Sequence, residues 1–213
     1  MIGQSISKNS MILTAFAIAT AGILAFTYQS TASRIAAAER KAAEAALLEI
    51  VPRQAHDNDM LSDVVPLSPE LRASLGLKGD DQAHIAYLKG KPVAIILPAV
   101  APDGYSGDIK LIIGINADGS VAGVRTLSHK ETPGLGDKVD IRKSDWITRF
   151  AGKSLNNPKI ERWSVRKDGG DFDQFTGATI TPRAVVKRVK STLMLFAENR
   201  EQLLGIEKGT TGK

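Results

Sequence analysis

Between Asn9 and Ser33 the chain carries no charged residue. Those 25 positions would extend roughly 37 Å as a helix, enough to cross a hydrocarbon core of about 30 Å. The centre, residues 11–28, is apolar apart from three threonines, with Lys8 on one side and Arg34 on the other. The run predicts a transmembrane anchor over residues 9–33 behind a short tail, residues 1–8. A cleaved signal peptide is the alternative, given the basic start and the small residues at Thr31-Ala32-Ser33. The apolar stretch is long for that role, so a retained anchor is the reading adopted. Only Lys8 precedes the span closely, whereas Arg34, Arg40 and Lys41 follow it. Taken literally, the positive-inside rule places everything after the span in the cytoplasm.

After the anchor, residues 32–50 are rich in alanine and free of Gly and Pro, so helix propensity is high. They extend the anchor as a stalk that Pro52 ends. Residues 53–82 are polar with short apolar patches and read as a linker. The organisation expected is a stalk and linker over 34–83, a folded domain over 84–205 and a flexible tail over 206–213. Residues 92–98, 108–115 and 120–128 read as strands. Asn116-Ala117-Asp118-Gly119 is turn chemistry, so the last two form an antiparallel hairpin. Residues 158–167 alternate as a further strand. Thr181 then caps a final helix with Pro182 in its first turn. Val185, Val189, Leu193 and Phe196 share one face of it. Strands followed by a packed terminal helix give an α+β domain.

The residue inventory removes several chemistries. A chain of 213 residues that is 43% hydrophobic buries a real core. It has no cysteine, so no disulfide, thiolate nucleophile, cysteine-held iron–sulfur cluster or c-type haem can be built. His56, His84 and His129 lack the spacing of a zinc or haem site. The net charge of +5 comes from 28 basic and 23 acidic residues, interspersed rather than gathered in a stripe. Nucleic acid is therefore not an expected partner. Redox chemistry here would need an organic cofactor.

Three glycine-bearing loops carry the functional signal. Gly104-Tyr105-Ser106-Gly107 precedes a strand, and its glycines permit a sharp turn or a close ligand approach. His129 to Gly136 follows a strand. Pro133-Gly134 is a type II turn signal, and Gly136 adds a second permissive position. This loop offers backbone N–H groups and few bulky side chains, which suits a flat polar ring. Asp173 to Thr181 runs into the N-terminus of the last helix, where unpaired N–H groups and partial positive charge favour phosphate. It supplies hydroxyls at Thr176, Thr179 and Thr181. With Thr181 as cap, the others are free for chemistry. No lysine follows the glycine, so the loop is not an NTPase phosphate loop.

These loops, in this order, resemble the FMN-binding domain of the G subunit of Rnf/Rsx ion-translocating electron-transport complexes. The C subunit of sodium-pumping NADH:quinone reductase is related. The matching residues are GYSG at 104–107, KETPGLG at 130–136 and DQFTGATIT at 173–181. The last motif is the most specific, and Thr176 stands where many relatives carry Ser. The resemblance implies a single N-terminal anchor and FMN esterified through its phosphate to Thr179. A flavin transferase would install the cofactor from FAD, reading a motif that includes Asp173, Thr176, Gly177 and Ala178. It implies an electron carrier on the periplasmic side of a bacterial inner membrane, beside membrane and iron–sulfur subunits and membrane lipid. That complex would couple NADH–ferredoxin redox chemistry to ion translocation, and the subunit alone would turn over no substrate.

Beside that resemblance, Glu131, Thr132, Pro133, Gly134, Leu135 and Gly136 are candidates for the ring edge, and Gly104 and Gly107 frame the first loop. Tyr105 or Leu135 would pack on a ring face. His129 and Lys130 would favour a negatively charged reduced flavin. Trp146, Phe150 and Trp163 read as core rather than electron relays. The alternatives are a C-type quinone-reductase subunit and a cofactor-free anchored assembly subunit. A self-contained flavin reductase would need a nicotinamide fingerprint, and no GxGxxG follows a strand here.

Overall fold

Side-chain alternation organises a five-stranded sheet. Its strands are β1 (Val64–Pro66), β2 (Gln82–Leu88), β3 (Lys91–Gly104), β4 (Gly107–Asn116) and β5 (Val121–Ser128). They lie in the order β1-β2-β3-β4-β5, every neighbouring pair antiparallel. Successive strand residues face opposite ways. In β3, Ile95, Leu97, Ala99 and Ala101 enter the larger core, whereas Ala94 and Ile96 enter a second one on the opposite face. In β4, Ile109, Leu111, Ile113 and Ile115 join the larger core and Ile112 the smaller. The continuous apolar run in β3 is thus the signature of a strand covered on both faces.

The computed structural model describes residues 2–205. The chain divides into two compact units, Met1–Ala43 and Glu44–Lys213. Helix α1 (Ile2–Ile50) supplies the first unit and the opening turns of the second. Within it, Asn9–Thr31 has a mean hydropathy of 1.9 and the length of a membrane span. Thr14, Thr20 and Thr27 donate their hydroxyls to the carbonyls of Ser10, Phe16 and Ile23 at 2.8–2.9 Å. These three hydroxyls of the apolar segment are thereby satisfied within the helix, as a hydrocarbon environment demands. The tail expected over residues 206–213 lies outside the described residues, as does Met1.

In the second unit, α3 (Ile180–Leu203) packs on the larger core with Val185, Val189, Leu193 and Phe196 fully buried, the face expected from periodicity. The opposite face of the sheet takes Leu47, Ile50, Val51 and Met60. Gly114 and Gly123 oppose each other across β4 and β5. A Cβ on Gly114 would lie 2.2 Å from Ile50 Cγ2, so the glycine pair forms the notch that seats Ile50. Arg125 Nε reaches Glu49 Oε2 at 2.7 Å beside it.

Three local readings need correction. Residues 53–82 are not a plain linker. They hold β1 and α2 (Pro69–Leu75), and Met60, Leu67, Leu71 and Leu75 are buried. The apolar patches are too short to show a period, and only tertiary contact reveals them as core. Residues 158–167 form no strand but two 3₁₀ turns, Ile160–Arg162 and Arg166–Asp168. Their apolar residues Ile160 and Trp163 are three apart, which is the 3₁₀ spacing. Trp163 is held by its indole N–H donating to the carbonyls of Ser154 and Pro158. Finally, Thr179 and not Thr181 stands at the N-cap of α3.

Candidate cofactor cleft

The cleft forms where the three loops meet above the first turn of α3. It has a volume of about 300 Å³, the lower end of the range for small-molecule sites. The β3–β4 turn contributes Tyr105, and the second loop contributes Glu131, Thr132, Leu135 and Gly136. The third contributes Gly177, Ala178, Thr179 and Thr181, together with Ile180, which the sequence reading missed. Most of the candidate residues therefore converge. Gly104, Gly107, Pro133, Gly134, Thr176 and Asp173 do not line the cleft.

The first five of these support the loops that carry the lining. Gly104 and Gly107 pair at the end of the β3–β4 hairpin, with Gly107 at φ 110°. Pro133 and Gly134 make the central pair of a turn in which Leu135 N–H donates to Thr132 O at 3.1 Å and Gly134 has φ 76°. That is the positive φ a type II turn needs at its third position. The same carbonyl also accepts from Gly136 and Asp137. Two N–H groups expected to face a ring, those of Leu135 and Gly136, are thus spent on the loop itself. Thr176 and Gly177 occupy a turn closed by Ala178 N–H to Phe175 O at 3.1 Å. Asp173 sits away from the cleft, held by Arg149 and Arg166.

Glu131 ties the loops together, a role with no local sequence signal. Its side chain is buried. Oε1 accepts the Ser106 N–H of the first loop at 2.9 Å, and Oε2 accepts the Thr181 hydroxyl. A Cβ on Gly104 would approach Oε1 to 2.9 Å, and one on Gly136 would approach Oε2 to 2.8 Å. Gly136 therefore serves close approach to this carboxylate and the Thr181 hydroxyl, whereas at Gly104 the Gly107 carbonyl, 2.2 Å from such a Cβ, is the tighter limit. Gly136 is needed for space and not, as expected, for a permissive φ. Asp103 is tied to Lys187 of α3 at 2.5 Å, and that bonded ammonium holds its carboxyl below the usual range. The Arg142 guanidinium likewise holds the buried Asp140 carboxyl low by hydrogen bonding, against the opposing effect of burial. His129 lies in a shallow groove beside Lys110 and Lys130 rather than in the cleft, with Nε2 4.0 Å from Asp140.

Because Thr181 is committed to Glu131, the helix start is left with an unusual cap. Thr179 has φ −97° and ψ −28°, and its side chain makes no capping hydrogen bond. A half-buried hydroxyl at a helix N-terminus, unused by the fold, is placed for a phosphate ester. Around it Tyr105, Ile180 and Leu135 are 68%, 45% and 42% exposed. Large apolar side chains left open around one cleft mark a ligand surface. A flat aromatic ring joined to a phosphate fits this set of residues.

The cleft and its sheet define an FMN-binding-domain protein: residues 104–194 match the FMN-binding domain family. Residues 1–50 match a second family, described as the RnfG N-terminal region. Similar proteins include the G subunit of the ion-translocating oxidoreductase complex of Vibrio atlanticus, 48% identical over 94% of this chain and 95% of that one. The protein of the same name in Shewanella oneidensis is 47% identical over 92% of each chain. That of Pseudomonas aeruginosa is 48% identical over 96% of this chain and 95% of its own. The chain belongs to the family of G subunits of ion-translocating oxidoreductase complexes.

Proposed function

We propose that this chain is the covalently flavinylated electron carrier of a complex that couples NADH–ferredoxin electron transfer to ion translocation. The attachment point is the hydroxyl of Thr179, joined to the phosphate of FMN by a transferase that uses FAD. The observation that carries this reading is that hydroxyl, idle at the head of α3 and facing the cleft. The relatives named above are G subunits, which favours this assignment over a C-type quinone-reductase subunit.

Bound there, the flavin supplies reversible electron carriage. The chain's own residues supply the rest. The helix N-terminus stabilises the ester's remaining negative charge by about 0.3–1 kcal/mol. Tyr105, Leu135 and Ile180 give the ring an apolar seat. Glu131 fixes the loops that carry them. The partners are the membrane and iron–sulfur subunits of the complex, since a chain without cysteine builds no cluster of its own. The anchor spans the bacterial inner membrane once, in contact with lipid, and the flavin domain lies on the periplasmic side. Three ordered motifs outweigh a difference of two basic residues in the charge count.

The test is a denaturing gel read under ultraviolet light, with protein from a host that has the transferase. The wild-type band fluoresces, and peptide mapping places the added mass on Thr179. Thr179→Ala gives a dark band, while circular dichroism of the same preparation before denaturation shows folded protein. A fluorescent Thr179→Ala band, or an unmodified wild-type peptide, removes the assignment.

A further inference from the structure

We propose that Arg149 and Arg166 are positioning residues for flavin attachment: by holding Asp173, they set the loop that presents the Thr179 hydroxyl. This rests on the reading of Thr179 as the attachment point.

Asp173 is fixed from three directions. Its Oδ1 lies 3.0 Å from Arg166 Nε, and its Oδ2 accepts from Arg149 Nη1. Its carbonyl accepts the Trp146 indole N–H at 2.8 Å. Trp146 and Arg149 are three apart in the 3₁₀ helix Asp145–Phe150, so that short helix presents both on one side. The Phe175 ring then lies edge-on to Trp146 with centroids 5.0 Å apart. The Phe175–Ala178 turn follows, with Gly177 at φ 79°, and Thr179 ends the path at the cap of α3. Between two fixed ends the exposed residues Thr176 and Gly177 are the part of the loop open to an enzyme.

In the attachment step, the Thr179 oxygen bonds to the flavin-side phosphorus of a flavin dinucleotide. The bond from that phosphorus to the bridging oxygen breaks, AMP leaves with that oxygen, and the hydroxyl proton passes to a base on the transferase. Such a displacement needs its nucleophile within a few tenths of an ångström, and a misplacement of about 1 Å costs up to about 100-fold in rate. Both arginine side chains are more than half exposed, and ion pairs of that kind contribute little to stability. Their loss is therefore felt in the rate of modification rather than in folding. The opposite account has the transferase reading the Asp173 carboxylate directly. On that account, freeing Asp173 from its arginines leaves modification intact or improves it.

The experiment uses the full chain in detergent with purified flavin transferase and FAD, and follows covalent fluorescence at several acceptor concentrations. The Arg149→Ala/Arg166→Ala pair is expected to lower kcat about tenfold, with KM for the acceptor within twofold and Tm unchanged. The Arg149→Lys/Arg166→Lys pair is expected to recover most of the rate. If the alanine pair does not fold, the single variants Arg149→Ala and Arg166→Ala are each expected to show a smaller fall in kcat. Modification at the wild-type rate, or a loss confined to KM, overturns the proposal. A wild-type chain that takes up no covalent flavin refutes the Thr179 reading itself, a result distinct from either.

Discussion

The Thr181 hydroxyl donates to Glu131 Oε2 across fifty residues of sequence, and both side chains are buried. This contact joins the second loop to the start of α3, and the Ser106 N–H on the other oxygen brings in the first loop. Removing the carboxylate leaves the buried Thr181 hydroxyl without its partner and releases the Ser106 N–H at the exposed hairpin tip. Glu131→Ala is expected to cost about 1–3 kcal/mol, or roughly 2–4 °C in Tm for each kcal/mol. Thr181→Val is expected to cost less. Urea unfolding of both and of the double variant is expected to give a coupling of about 0.5–3 kcal/mol. Additive effects would show that the contact does not hold the loops.

The Ile50 notch makes a second prediction. In Gly114→Ala the new methyl would meet Ile50 Cγ2, a branch with little freedom to move. A fall of about 1–3 kcal/mol is expected, the usual cost of overpacking. Ile50→Ala in the same chain is expected to return part of it, since the clashing branch is gone. Thermal unfolding of the two variants checks this. A double variant weaker than the sum of the singles would place the strain elsewhere.

Thr179 is expected to behave unlike an ordinary cap. Replacing a capping threonine by alanine costs about 0.5–2 kcal/mol, but this side chain makes no capping bond. Thr179→Ala is therefore expected to change the stability of flavin-free protein by less than about 0.5 kcal/mol. Differential scanning calorimetry measures it, and a full capping penalty would mean that the hydroxyl is engaged after all.

Acid should weaken the domain in part through Asp140. Arg142's hydrogen bonds hold the folded carboxyl below its ordinary value, and the His129 imidazole stands nearby. The unfolded chain, with an aspartate near 3.9, then takes up the proton first as pH falls. The stabilisation is complete above about pH 4 and is lost as pH drops through the folded value. Asp140→Asn is expected to lower Tm at pH 7 and to flatten its decline below about pH 5. An acid limb as steep as that of the wild type would assign the effect to other carboxylates.

The absence of cysteine allows a clean test of topology. Lys78 is exposed on the second unit. A Lys78→Cys chain in intact spheroplasts is expected to react with a membrane-impermeant maleimide, because the domain is proposed to face the periplasm. Labelling only after lysis would favour the side given by the Lys and Arg count.

The sequence by itself determined what depends on short-range order. A charge-free run long enough for a bilayer, the apolar runs of β3 and β4, the Asn116–Gly119 turn and the apolar stripe of α3 each follow from run length, from the 3.6-residue period or from local turn chemistry. The three motifs were equally legible, because backbone freedom and hydroxyl supply are carried by residue type. Tertiary structure decided which hydroxyl is occupied. Thr181 looks like the better cap when only its neighbours count, yet it is taken by Glu131, and Thr179 is left idle. It also decided that residues 53–82 fold and that Asp173 faces two arginines instead of the cleft. These outcomes rest on contacts between residues far apart in sequence, whose energies no local pattern records.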